Sequence, residues 1–127
     1  MKEKKIMTHR QCRLMLNYLK RHYKKESFYY WVGEEHELDG DFTSTVHYWY
    51  YPDELFSSIS VHYYIYDYHR TVEMSYSVTV TTLRELKQAV NLRPRIERFF
   101  STQLRFLLRA GCRDRNPFNF PGPTEYE

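Results

Sequence analysis

The sequence predicts an α+β fold: an N-terminal helix, a four-stranded antiparallel meander and a C-terminal broken helix, arranged in two layers. Three observations predict it. Residues 42–80 alternate aromatic or β-branched residues with small polar ones, which is the period-two pattern of strands. Segments with apolar residues every three or four positions, typical of amphipathic helices, stand on either side. The turn-like breaks between the strands are short, so neighbouring strands must pair antiparallel.

The first element is a helix that begins near Thr8. Thr8 and Gln11 have the spacing of a capping box. Apolar residues then recur at intervals of three and four, so they form one stripe that we expect to face the core. Basic residues, among them Lys20 and Arg21, occupy the other side. The apolar stripe consists of Cys12, Met15, Leu16, Leu19 and Tyr23.

The first strand is predicted over residues 27–38. Burying charged side chains is costly, so the loop that follows should have three residues, 39–41, with Gly40 in the left-handed conformation. A two-residue loop would instead bury Glu35 and Glu37. In this alignment the residues expected to face the core are Phe28, Tyr30, Val32 and Leu38.

The other three strands each present one face to the core. Hairpin turns near residues 53–56 and 67–70 place His47 opposite His62 and Ile65 opposite Val72. All core residues then fall on the same face, which supports this register. The expected core residues are Phe42, Ser44, Val46, Tyr48, Tyr50, Ile59, Val61, Tyr63, Ile65, Val72, Met74, Tyr76, Val78 and Val80.

The opposite face of the sheet is the predicted docking surface for a protein partner or for a second copy of the chain. Tyr and Trp are amphipathic and enriched at interfaces, and a contiguous aromatic patch marks an interaction site. The alternative is that a helix or a second sheet covers this face as a second core. The predicted partner-binding residues are His47, Trp49, Tyr51, His62, Tyr64 and Tyr66, with Glu35 and Glu37 of the acidic hairpin.

A second helical region begins at Thr82, with Glu85 three residues later. Pro94 predicts a break, because the residue before a proline is pushed out of the helical conformation. We expect residues 1–111 to form one domain, and residues 112–127, rich in proline and aromatics, to be a disordered tail or a strap. The apolar positions of the helical region are Leu83, Leu86, Ala89, Val90, Ile96, Phe99, Phe100, Leu104, Leu107 and Leu108.

Charge is segregated along the chain, although the net charge is only +3. Residues 1–26 carry +7, residues 27–80 carry −8 and residues 81–127 carry +4. Two basic helical regions therefore flank an acidic, aromatic sheet. Nucleic-acid binding by these helices is the alternative function, and a solvated basic face without a ligand is the simpler interpretation. The candidate residues are Lys20, Arg21, Arg84, Arg95, Arg98 and Arg105.

Motifs for catalysis and cofactor binding are absent from the sequence. The four glycines are too scattered for a phosphate-binding loop, and no nucleophile elbow occurs. His47 and His62, with His36 nearby, suggest a metal site, but structural zinc needs four ligands at tight spacing. We predict no enzymatic activity, no cofactor and no metal. Cys12 and Cys112 are expected to be free thiols.

Hydropathy predicts where the protein resides. No run of about 18 apolar residues exists that would span a membrane, and no apolar signal-peptide segment follows the basic N-terminus. We therefore expect a cytoplasmic protein, in the host cytoplasm if the chain is viral. Compact chains without enzyme motifs are frequent among viral and mobile-element accessory or inhibitor proteins. A non-enzymatic binding protein of this kind is the predicted function.

Overall fold

A computed structural model describes residues 6–53 and 57–109 of the chain. The described residues form one six-stranded antiparallel sheet and two helices, so the predicted α+β class is confirmed, with six strands instead of four. The elements are α1 (His9–His22), β1 (Lys24–Ser27), β2 (Tyr30–Val32), β3 (His36–Leu38), β4 (Phe42–Tyr51), β5 (Ser58–Asp67), β6 (Glu73–Val80) and α2 (Leu83–Arg109). The sheet order is β1-β2-β4-β5-β6, and β3 pairs with β4 beside β2. The predicted tail, residues 112–127, lies outside the described residues.

Both helices lie on one side of the sheet, which we call the inner face. α2 packs against β5 and β6, and α1 packs beside α2. The buried hydroxyl of Tyr63 donates a hydrogen bond of 2.5 Å to the carbonyl of Ala89, so the sheet is tied to α2 at its centre. Most residues predicted to face the core are buried there, among them Phe42, Ser44, Val46, Tyr48, Ile59, Val61, Tyr63, Ile65, Val72, Met74 and Val80.

The predicted first strand is instead two short strands, β2 and β3, joined at Gly33. The N–H of Gly33 donates to the carbonyl of Val46 at 2.9 Å, and a Cβ at Gly33 would collide with Cγ1 of Val46. The backbone therefore approaches β4 closely, and the connection shifts the alternation by one residue. Trp31, 2% exposed, packs in the core opposite Tyr48. Leu38 packs against the core as predicted, but the core assignment was wrong for Phe28, Tyr30 and Val32.

The loop between β3 and β4 has the predicted three residues. Leu38 pairs with Phe42, and the N–H of Asp41 donates to the carbonyl of Leu38 at 3.1 Å. Gly40 has a φ of +74°, the left-handed conformation that favours glycine. This loop keeps Glu35 and Glu37 exposed, as the cost of burying charge predicts.

The hairpin between β5 and β6 has a longer turn than predicted. Ile65 pairs with Met74, two residues beyond the expected Val72, so the predicted register was wrong. The reason is Asp67, whose carboxylate accepts a 3.0 Å hydrogen bond from the N–H of Val72 and thereby closes a wider loop. Because the shift is an even number of residues, every side chain stays on its predicted face. The other hairpin has the predicted register, with His47 opposite His62.

Helix α2 runs without a break through Pro94, so the prediction of a broken helix was wrong. A proline inside a helix removes one backbone hydrogen bond and crowds the preceding turn. The flanking turns are nevertheless held in place, because Leu92, Arg93, Ile96 and Glu97 are all buried against the rest of the domain. Tertiary packing thus maintains the helix across the unfavourable residue.

A buried arginine joins α2 to the connection between β2 and β3. Arg93 Nη2 donates to the carbonyl of Ser44 at 3.0 Å and to the carbonyl of Glu34 at 2.5 Å. The carboxylate of Glu97 lies 3.3 Å from Arg93 Nε and 2.8 Å from His36 Nδ1. The buried guanidinium therefore has both a charge partner and backbone acceptors, which offsets its desolvation.

Candidate docking face

The outer side of the sheet carries a cluster of aromatic and imidazole rings. Within residues 6–53 and 57–109 neither helix covers this side, because both pack on the inner face. The rings are therefore only partly buried, by one another and by their strand neighbours, and Tyr51 is 46% exposed. We call this surface the aromatic face, and it consists of Tyr30, His47, Trp49, Tyr51, His62, Tyr64 and Tyr66.

The arrangement of the rings follows from a near-repeat in the sequence. Residues 46–51 read VHYWYY and residues 61–66 read VHYYIY, and the two segments pair antiparallel at their histidines. The pair His47–His62 thus sits at a local two-fold centre. Each of the other β4–β5 pairs on the outer side of the sheet joins one large ring to one Ser or Thr. These pairs are Thr43–Tyr66, Thr45–Tyr64, Trp49–Ser60 and Tyr51–Ser58.

A diagonal band of rings results from this pairing. Toward the start of β4, the rings of each pair lie on β5, and toward the end of β4 they lie on β4 itself. The Ser or Thr of each pair lies on the other strand, so hydroxyl side chains line both sides of the band. The eight residue-to-residue steps from Thr43 to Tyr51, at about 3.4 Å each, give the band a length of about 27 Å. On β6, the neighbouring edge strand, Glu73 is followed on the outer side by three hydroxyl residues, Ser75, Ser77 and Thr79.

The rings support one another through edge and tilted contacts. The ring centroids of Tyr30 and Trp49 are 4.2 Å apart, and those of His47 and Tyr64 are 5.1 Å apart in an edge-on arrangement. Tyr30 belongs to this cluster although the sequence assigned it to the core. The size of its neighbour Trp31 was the available signal, because burying that larger ring turns Tyr30 outward.

The two histidines at the centre are biased toward their neutral form. Burial lowers the pKa of both, and the facing imidazole of His62 lowers the pKa of His47 further. Nδ1 of His47 is hydrogen-bonded to the hydroxyl of Tyr30. Nε2 of His62 is buried and has no hydrogen-bond partner among the described residues. The centre of the face is therefore uncharged at neutral pH.

Charged residues lie around the aromatic face and not among its rings. The guanidinium of Arg70 lies over the ring of Tyr66, 4.1 Å from its centroid. Glu37 pairs with Thr43 at the same end of the sheet, and Glu35 is exposed in the connection between β2 and β3. Glu37 therefore borders the rings. Lys24 lies on β1, at the side of the sheet, and pairs with Val32, the partner of His47 on β4.

The acidic hairpin beside this end is partly neutralised by α2. Arg105 lies 2.6 Å from the carboxylate of Asp39 and 3.8 Å from that of Asp41. Its guanidinium is also 5.4 Å from the centroid of the Phe42 ring. The charge of −8 counted over residues 27–80 therefore overstates the negative potential at the aromatic face.

The residues proposed for nucleic-acid binding lie on the helices and not on the aromatic face. Arg84, Arg95 and Arg98 share the outward side of α2, because their spacings of eleven and three residues return to the same helical face. Lys20 and Arg21 lie in the last turn of α1. Arg105 is engaged by the hairpin carboxylates. These candidates are therefore divided among three locations.

The candidate metal ligands of the sequence do not come together in the part of the chain that the structure describes. Within the described residues, no cluster of three or more His, Cys, Asp and Glu side chains could hold a metal ion. His36 contacts Glu97 on the inner side, away from His47 and His62 on the outer side. Neither helix has a segment that is long and apolar enough to cross a membrane.

Comparison with known proteins returns no relationship for this chain. No protein-family model, no curated protein and no solved structure matches it. The interpretation of the aromatic face consequently depends on its own geometry and chemistry.

Proposed function

We propose that the protein is a non-enzymatic binding protein that docks a protein partner on the aromatic face. The observation that carries this proposal is the diagonal band of Tyr, Trp and His rings flanked by Ser and Thr. Tyr and Trp give large contact areas at a low cost in side-chain entropy, and Ser adapts its hydrogen bonds, which is why antibody binding sites combine them. The band repeats that combination on a rigid sheet.

The electrostatics of the face favour a protein over a polyanion. A nucleic-acid backbone needs several cations along its path, whereas the centre of this face carries neutral histidines and hydroxyl groups. The flanking Arg70 and Glu37 fit the polar rim that surrounds the contact core of protein interfaces. Trp49 and Tyr64, near the middle of the band, occupy the positions where binding energy concentrates.

The test is affinity capture with three versions of the tagged protein from native lysate. The face variant is Trp49→Ala/Tyr64→Ala, and the matched control is Tyr68→Ala/Phe106→Ala, which removes two rings that are 86% and 62% exposed elsewhere. We expect the wild type and the control to recover the same protein, and the face variant to lose it by about 100-fold in affinity. Nuclease treatment should not change the result.

Three results separate this proposal from its alternatives. Equal recovery by the face variant and the control would contradict docking on the aromatic face. A loss that follows nuclease treatment would point to a nucleic-acid bridge. Sedimentation of the purified chain at micromolar concentration distinguishes a second copy from another protein, because self-association needs no lysate component.

A basic stripe on α2 supports a second candidate function, nucleic-acid binding. Arg84, Lys87, Arg98 and Arg109 are exposed along the outward side of this 27-residue helix, which is about 40 Å long. Such a row could follow a phosphate backbone. The stripe predicts that affinity for nonspecific RNA or DNA falls steeply as salt is raised. Arg84→Glu/Arg98→Glu should abolish that binding, and an absence of binding at low salt would remove the candidate.

A further inference from the structure

A groove of about 620 Å³ lies between α1 and the end of β4, on the inner side of the sheet. Its volume is within the range of small-molecule sites, roughly 300–1,000 Å³. One wall is a single side of α1, because Cys12, Leu16 and Lys20 are spaced by four residues. The opposite wall includes Tyr50 of β4, so the groove is separate from the aromatic face.

The floor of the groove is mainly apolar. Met7 is buried, and Leu16 and Tyr50 are half-buried and pack against the core. The neighbouring Cys12 side chain, followed by burial, raises the pKa of the Tyr50 hydroxyl. Met7, Leu16 and the ring of Tyr50 give a ligand an apolar surface.

The rim of the groove is cationic. Arg13 and Lys20 are exposed and separated by seven residues, about two turns of α1 or roughly 10 Å. Neither forms an ion pair with a described residue. His9 adds an imidazole in the first turn of α1, whose N-terminus carries a partial positive charge. Among the described residues that line the groove, Asp53 is the single carboxylate.

We propose that this groove binds a small amphipathic carboxylate. Its anionic group pairs with Arg13 or Lys20 at the rim, and its apolar body lies along Leu16, Met7 and the ring of Tyr50. An inorganic anion would leave this floor exposed to water, and a neutral hydrocarbon would leave the cations unpaired. A ligand with both parts satisfies the floor and the rim together.

Calorimetric titration with three probes tests the ligand class. Octanoate carries both parts, acetate has the anionic group alone, and 1-octanol has the apolar body without the charge. We expect octanoate to bind at one site per chain and at least tenfold more tightly than acetate or octanol. Equal binding of octanol, or no saturable binding of octanoate, would overturn the proposal.

Charge-reversal variants on α1 test the position of the anion. Arg13→Glu/Lys20→Glu changes the rim, and Arg10→Glu/Arg21→Glu is the matched control, because it reverses two exposed cations of the same helix that do not line the groove. The rim variant should weaken octanoate binding at least tenfold and the control less than twofold. Equal weakening would indicate general attraction to the basic helix and contradict a site.

The thiol of Cys12 reports occupancy in the unaltered groove. In a Cys112→Ser background, Cys12 is the remaining cysteine and is partly exposed. Saturating octanoate should slow its alkylation by iodoacetamide at least fivefold, with a midpoint that matches the calorimetric affinity. An unchanged alkylation rate under saturation would place the ligand elsewhere and refute the assignment, whether or not the charge variants fold.

Discussion

The two faces of the central hairpin use the same residue types for opposite purposes. Tyr63 and Tyr64 are neighbours on β5, yet Tyr63 is 2% exposed beneath α2 and Tyr64 remains partly exposed. Burial raises the pKa of the Tyr63 hydroxyl strongly, and the pKa of Tyr64 is also raised, chiefly by burial. A tyrosine in this sheet is thus core or surface according to whether a helix lies above it.

The inner face is buried because its rings contact groups outside the central hairpin, through hydrogen bonds and ring stacking. Tyr63 donates to a helix carbonyl, and Tyr23 stacks on Tyr48 with centroids 4.4 Å apart. The rings of the outer face mainly contact one another. Composition therefore does not distinguish a core from a docking surface in this protein. The difference lies in the second layer, because the helices cover only the inner face.

The largest expected effect comes from truncating rings on the two faces. Trp31→Ala should lower the free energy of unfolding by about 3–5 kcal/mol, because it leaves a large cavity in the core. Trp49→Ala should cost only about 1 kcal/mol, the scale of a lost cross-strand aromatic pair. Urea unfolding monitored by circular dichroism measures both. Similar losses for the two variants would mean that the outer face is a second core.

A smaller effect should distinguish the two glycines of the β2–β4 region. Gly33→Ala should cost about 1–3 kcal/mol, because the new Cβ collides with Val46. Gly40→Ala should cost about 1–2 kcal/mol through its left-handed backbone alone, since no atom lies within 4 Å of the added Cβ. In a Val46→Ala background, Gly33→Ala should cost less than it does in the wild type, whereas the cost of Gly40→Ala should not change. Unfolding measurements on the double variants provide the check.

The histidine pair should make stability depend on pH. Burial holds the folded pKa of His47 and of His62 below the ordinary histidine value of 6.5, so the unfolded chain takes up protons first as the pH falls. Their contribution is therefore complete above pH 6.5 and is lost as the pH falls through the folded pKa values. His47→Gln/His62→Gln should show a weaker stability loss between pH 7 and pH 5 than the wild type. Parallel pH profiles would contradict this assignment.

The smallest expected effect is that of the surface ion pair at the hairpin. Asp39 and Arg105 are partly exposed, so Asp39→Asn should cost less than about 1 kcal/mol. The difference from the wild type should shrink further in about 1 M salt, where charges are screened over about 3 Å. A salt-independent loss above this size would show that the pair supports packing and not only charge.

Local patterns in the sequence determined most of the elements. The period of two over residues 42–80 located three strands, and the capping threonine Thr8 located the start of α1, where its hydroxyl accepts from the N–H of Gln11 at 3.1 Å. The near-repeat of His47 and His62 fixed one hairpin register and most of the aromatic face. These features depend on residues that are close together in the sequence, so they can be predicted from the sequence alone.

Tertiary structure decided the features that depend on distant residues. Gly33 divides the first strand because it meets Val46 on another strand, and this phase shift moves Trp31 into the core and Tyr30 onto the aromatic face. Pro94 remains helical because buried neighbours on both sides of it hold α2 against the domain. A period of two identifies the two faces of a strand, but only the packing of a second layer decides which face is covered.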